Sequence, residues 1–136
     1  PAYVDTGLNI VHVDDVAEGH WLAFSKGRPG ERYVLGGENL SLKEIFTRIA
    51  TLSGHAPPRV RLPHLALYPV AYAAEGWVRL CGRGRPLVTV DELRMSRKWM
   101  FFSSNKARQE LGYRPRPAQK ALSDALDWFR EQHYLR

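Results

Sequence analysis

The chain has 136 residues, 44% hydrophobic and 25% charged, enough for one domain with its own core, which excludes a disordered or fibrous protein. One cysteine, Cys81, excludes an internal disulfide and the common zinc patterns, so nothing calls for an oxidising compartment. The net charge of +6 is local: residues 79–120 hold eleven Lys and Arg against three Asp and Glu, whereas residues 1–78 hold seven against eight.

A local basic excess suggests a phosphate-bearing ligand or nucleic acid, against the plainer reading of a solvated surface. The first residues, Pro1-Ala2-Tyr3-Val4-Asp5, show neither a basic leader nor an apolar signal core, so a cytoplasmic protein is expected. They also lack an initiator Met, and the motifs below favour a chain cut from something longer.

Leu8-Asn9-Ile10-Val11-His12-Val13 is a β-rich run that ends at Asp14-Asp15. Asp15 with Glu18 three residues later has the form of a helix-opening capping box, so the run feeds directly into a helix. That helix places Val16, Ala17, His20, Ala23 and Phe24 on one face, and Gly27 stands where a left-handed C-terminal cap is expected. Arg32-Tyr33-Val34-Leu35, bounded by Gly36-Gly37, reads as a second, buried strand.

Ser41 and Glu44 form another capping box, opening a helix with the apolar stripe Leu42, Ile45, Phe46, Ile49 and Leu52 and an end at Gly54. Residues 8–54 thus spell strand, helix, strand, helix, the alternation of an α/β layer with a parallel sheet.

Beyond Gly54 the composition changes. Ala56-Pro57-Pro58 leads into an extended run, Arg59 to Leu62, and Pro63 opens a mostly apolar helix from His64 to Leu80. Its uninterrupted apolar stretch, Leu65 to Ala74, is far short of the roughly 20 residues a membrane span needs. Thr89 and Glu92 cap a helix through Arg97, Trp99 to Phe102 is strand-like, and Asn105 to Leu111 is a short helix stopped by Gly112. After Pro115 and Pro117 a last helix lines up Leu122, Ala125, Leu126 and Phe129.

Two stretches carry a family signal: Asn9-Ile10-Val11-His12-Val13-Asp14-Asp15-Val16-Ala17, and Phe102-Ser103-Ser104-Asn105-Lys106-Ala107 through Leu111-Gly112-Tyr113-Arg114-Pro115. Each resembles a signature of the extended short-chain dehydrogenases/reductases, the nucleotide-sugar epimerases, dehydratases and dihydroflavonol-4-reductase-like proteins. With Tyr33-Val34-Leu35-Gly36-Gly37 between them, the chain is similar to the C-terminal half of such enzymes, and the match is closest to the hopanoid-associated sugar epimerase group.

The resemblance implies an α/β fold in which residues 1–54 are the last strand-helix units of a Rossmann-type parallel sheet. Residues 55–136 would form a mainly helical substrate-capping subdomain. It implies NAD or NADP as cofactor of a full-length parent, with no tight cofactor binding by this piece.

The family's phosphate-binding turn needs three spaced glycines after a first strand, and here Gly27-x-x-Gly30 is followed by Tyr33. Its proton transfer needs a Tyr four residues before a Lys whose charge lowers the phenol's pKa. None of Tyr3, Tyr33, Tyr68, Tyr72, Tyr113 or Tyr134 has a Lys at that offset. No catalytic and no cofactor-binding residue is therefore assigned, and the piece alone is expected to be inactive.

Nucleotide-sugar relatives place an Arg just before the first motif to clamp the substrate diphosphate by bidentate charge-assisted bonds. Thr6-Gly7-Leu8-Asn9 holds none, which loosens the link to a sugar nucleotide and leaves an apolar carbonyl substrate open. Arg94, Arg97 and Lys98 precede the second motif, where relatives supply another phosphate contact, and are the candidate substrate-binding residues; the bland reading is an exposed basic helix face.

His12 reads as a packing histidine, Asp14 and Asp15 as helix caps, and Tyr68, Tyr72 and Trp77 as core or as the wall of an apolar pocket. His20, His55, His64 and His133 have no ligand spacing, so no metal is expected.

A non-catalytic binding or assembly module, using the basic 79–120 stretch on nucleic acid, is the competing function. The absence of aromatics interleaved with the basic residues speaks against it. Strands 8–13 and 32–35 would lack neighbours in an isolated piece, so a homo-oligomer, strand-exchanged at these edges, is expected.

Overall fold

The computed structural model describes residues 2–81 and 89–134. Arg83 and Arg85 of the basic stretch lie outside them. In chain order the elements are β1 (Ala2–Val4), β2 (Gly7–Ile10), α1 (Val13–Lys26), β3 (Glu38–Ser41), α2 (Leu42–Ser53), β4 (Val60–Leu62), α3 (His64–Cys81), α4 (Val90–Ser96), α5 (Asn105–Leu111) and α6 (Ala118–Glu131). The mixed α/β class read from the alternation is the class observed.

Two local rules account for the helix ends. Ser41 and Glu44 satisfy each other's backbone amides at the start of α2, and Thr89 and Glu92 do the same for α4, each box supplying acceptors for two N–H donors at a helix start. Gly54 and Gly112 end α2 and α5 at φ 71° and 75°, a conformation that costs an L side chain energy and glycine little.

The strands pair differently from the expectation. β2 lies antiparallel to β3, with Leu8 opposite Leu40 and Asn9 opposite Asn39, while β1 lies parallel to β4, with Tyr3 opposite Arg61. Residues 32–35 form no strand here. Tyr33 and Leu35 instead pack on Leu111 and Tyr113, and the Asn9 carboxamide oxygen accepts the Gly37 N–H at 2.9 Å, which holds the chain beside β2 before β3 begins. Trp99 to Phe102 likewise contributes a single parallel bridge, Met100 to Leu8, and no longer strand.

The start and end of α1 also differ. His12, not Asp15, is its N-cap, because the His12 Nδ1 accepts the Asp14 N–H at 3.1 Å and so begins the helix at Val13. Gly27 has φ −66° and is no left-handed cap; the left-handed residue is Gly30, at φ 81° in the following turn. The buried face of α1 is that of Asp15 and Gly19, with Leu22 and Ala23 at its edge, so Ala17, His20 and Phe24 point outward.

Three apolar clusters hold the elements together. Leu40, Ile45 and Ala118 join the β2–β3 ribbon to α2 and α6, with Leu8, Ile10, Ile49 and Leu122 around them. Ala71, Val90 and Leu93 join α3 to α4, and Ala107, Leu111 and Tyr113 join α5 to α1. A fully buried side chain such as Leu111 contributes about 2 kcal/mol by leaving water. Contacts cross residue 54 in both layers, since β1 pairs with β4 and α6 packs on α2.

Candidate functional site

The first signature stretch meets the segment just past the second at the N-terminal ends of α1 and α6. Asp15, in the first turn of α1 and 2% exposed, receives the Arg116 backbone N–H at 2.7 Å on Oδ2 and lies 2.8 Å from the Arg116 Nε through Oδ1. The same guanidinium reaches Asp14 at 3.3 Å. One turn into α6, Asp124 lies 3.0 Å from the His12 Nε2 and 2.7 Å from the Lys120 ammonium.

A mostly apolar groove of about 550 Å³ opens beside these groups, lined by Val11, Val13, Ala121, Ala125, Trp128 and Phe129 with His12 and Asp124 in its wall. The carboxylates of this cluster are acceptors in use. Both Asp15 oxygens are taken by Arg116, and the hydrogen bond from Lys120, followed by that from His12, holds Asp124 below the ordinary carboxylate range. Neither is poised as a general base. The capping reading of Asp14 and Asp15 thus gives way to an inter-element ion pair with Arg116.

The predicted basic residues sit at the far end of α4. Arg94 lies 3.3 Å from Asp91 on its own helix, Arg97 follows the last turn, and all three, Arg94, Arg97 and Lys98, are exposed. Among the described residues Arg97 and Lys98 make no ion pair. The segment is tied to β2: the Lys98 carbonyl accepts from the Thr6 hydroxyl at 3.3 Å, and the Met100 N–H donates to the Gly7 carbonyl at 2.9 Å. Residues 98–100 are thereby held next to β2.

Gly7 itself lies beneath Trp99 and Phe101, an edge-to-face pair with ring centroids 5.1 Å apart, and a Cβ at this position would overlap both rings. Asn39 extends the same surface, its carboxamide exchanging bonds with the backbone of Phe102 at 3.0 and 3.1 Å and accepting from Asn9 at 2.7 Å. No local sequence signal announces this network, because Asn9 and Asn39 are ordinary polar residues until the register sets them opposite each other.

Elsewhere in the basic stretch, Lys106, Arg116 and Lys120 are engaged with Glu31, Asp14 and Asp15, and Asp124. Tyr68 packs against the Ala71, Val90 and Leu93 cluster, whereas Tyr72 and Trp77 are exposed. Among the described residues no group of three His, Cys, Asp or Glu is placed to hold a metal ion, and no helix is long and apolar enough to cross a membrane.

The glycine pair does not fit a dinucleotide. Gly27 closes the C-terminal end of α1 and donates its own N–H to the Ala23 carbonyl, so the turn adjoins a helix end with free carbonyls, the wrong polarity for a pyrophosphate.

No family model matches the chain. It is 39% identical to the "Putative dihydroflavonol 4-reductase" of Synechocystis sp. over all of its own length and 40% of that protein. It is 28% identical to the mouse short-chain dehydrogenase/reductase family 42E member 1, over 90% of the chain and 34% of that protein. Among solved structures, gox2253 shares 54% identity at TM-score 0.77, covering 100% of this chain and 41% of that one. A nucleoside-diphosphate-sugar epimerase from Pseudomonas aeruginosa shares 31% identity at TM-score 0.72, covering 99% and 39%. The chain thus spans about 40% of the length of the relatives first matched.

Proposed function

We infer, from the chain's membership of the extended short-chain dehydrogenases/reductases, that it is the substrate-binding C-terminal region of an NAD(P)-dependent enzyme. The substrate is a nucleoside-diphosphate sugar, turned over by epimerisation or dehydration, or an apolar carbonyl compound reduced in the manner of a dihydroflavonol 4-reductase. Residues 1–54 belong functionally to the dinucleotide-binding sheet and residues 55–136 to the substrate cap, although packing runs across that division. The parent is cytoplasmic.

The observation that carries the reading is the tie between the Lys98–Met100 segment and β2. It holds Arg97 and Lys98, exposed and without ion pairs among the described residues, beside the strand of the first signature. Two mobile cations there attract a diphosphate or another anionic substituent without demanding it. Arg94 joins them by leaving Asp91 when a phosphate arrives.

The chemistry rests on residues outside the chain, since its 136 residues contain no Tyr-x-x-x-Lys pair and no Gly-rich turn. NAD or NADP would be held there and would supply the hydride. What this region supplies is the wall of the substrate pocket and its charge.

The test uses the longer protein that carries this region. Replacing Arg97 and Lys98 together by Glu is expected to raise the KM for a nucleoside-diphosphate sugar at least tenfold with kcat little changed, and to leave the KM for an uncharged ketone unaffected. Equal loss on both substrates would remove these residues from the substrate site. Absence of any nicotinamide-dependent turnover would remove the enzyme reading itself.

A further inference from the structure

His12 is 8% exposed and uses both ring nitrogens in opposite senses. Nδ1 accepts the Asp14 N–H at 3.1 Å, which requires it to be unprotonated, so the ring proton sits on Nε2, which donates to the Asp124 Oδ2 at 3.0 Å. One imidazole therefore caps α1 and anchors α6. Around it stand Asp14 on α1, whose carboxylate is 3.6 Å from Nδ1, Asp124 and Lys120 on α6, and Arg116 in the segment entering α6, which reaches Asp14.

A second proton alters only one side of this arrangement. At Nε2 nothing is lost, because the N–H toward Asp124 is retained and its acceptor is anionic. At Nδ1 the lone pair that capped the helix becomes an N–H facing another N–H. Charge at a helix N-terminus is also opposed by the peptide dipoles. The Asp14 carboxylate is the nearest acceptor that the new donor finds.

We propose that His12 is a proton-operated joint between β2 and α1: unprotonated at Nδ1 it caps α1, and on protonation it abandons the Asp14 amide and pairs with the Asp14 carboxylate. The first turn of α1 then opens while α6 stays attached through Asp124. Asp14 is drawn from Arg116, and the groove between Val13 and Trp128 changes shape. This device is independent of the substrate reading above.

Nitrogen-15 NMR on the intact chain tests it. At neutral pH the ring is expected as the Nε2–H tautomer. On acidification the Asp14 amide resonance should shift with the same midpoint as the His12 ring and lose its protection from hydrogen exchange. In His12→Asn, a good N-cap that cannot titrate, the Asp14 amide should stay fixed over that range. An Nδ1–H tautomer at neutral pH, an Asp14 amide that ignores the ring, or one that still moves in His12→Asn would each overturn the joint.

Discussion

Asp15 and Arg116 are 101 positions apart, yet one carboxylate takes both the backbone N–H and the Nε of that arginine, at 2.7 and 2.8 Å. The carboxylate is buried and the arginine half-exposed, so the pair ties the first signature to the residue that follows the second, where α1 and the approach to α6 meet. Removing the guanidinium leaves a buried charge with only an amide for company. Arg116→Ala is expected to cost about 3 kcal/mol in urea unfolding. Asp15→Ala should cost a similar amount, and the double variant clearly less than the sum. Strict additivity would mean that the two act separately.

The Tyr113 ring is 1% exposed and its hydroxyl has no hydrogen-bond partner among the described residues. Burial, and then the charge of Asp15, raises its phenol above the ordinary range, so it stays neutral. Tyr113→Phe removes a buried donor that gains nothing and is expected to stabilise the chain by about 1 kcal/mol. A loss of stability of that size would reveal an ordered water on the hydroxyl.

Gly7 has no room for a methyl group beneath Trp99 and Phe101. Gly7→Ala should cost about 2 kcal/mol and shift tryptophan emission as the rings are pushed toward solvent. Unchanged emission with unchanged stability would show that the pair moves aside freely.

Four carboxylates sit below their ordinary range in the fold: Glu31 through Lys106, Glu44 through the Ser41 hydroxyl, Glu110 through the Tyr33 hydroxyl and Asp124 through Lys120. A group with a depressed folded pKa adds stability that is present above its unfolded pKa and lost as pH falls through the folded one. The urea midpoint should therefore be level near neutrality and decline below the carboxylate range. Ser41→Ala, which costs about 1 kcal/mol by loss of the cap, should also make that decline shallower.

An isolated chain should self-associate. Val13, Trp21 and Phe24 form an exposed stripe along α1 at 75%, 66% and 84% exposure, and residues 32–35 form no strand and have no sheet partner among the described residues. Light scattering should give a dimer or larger species, and Trp21→Glu with Phe24→Glu should lower its mass. A monomer at high concentration would contradict this.

What could be read beforehand was local. Ser41 and Thr89 announce their helices through residues three positions away, and Gly54 and Gly112 mark ends that depend on one φ angle. The strands were harder, because alternation tells which side of a strand is apolar and says nothing of its neighbour. Leu8 and Leu35 both read as sheet residues, yet Leu8 lies opposite Leu40 and residues 32–35 form no strand. The reading of His12 as packing missed the cap because an imidazole nitrogen seldom does what an Asp oxygen does, and a good Asp stood two places on. Asp15's role depended on Arg116, and no window of sequence contains both. Arg94, Arg97 and Lys98 are candidates through the resemblance alone, while the aromatic pair over Gly7 depends on the register of Met100 on Leu8.

The first ten residues also set an order of events. Tyr3 pairs with Arg61, Thr6 bonds to Lys98 and through its carbonyl to the Leu42 N–H, and Leu8 bridges Met100. Residues 2–10 can therefore complete their contacts only after residue 100 has been made, and loops of this length slow the search for the native state. Until then the capped helices form and wait for the residues to which they will be sewn.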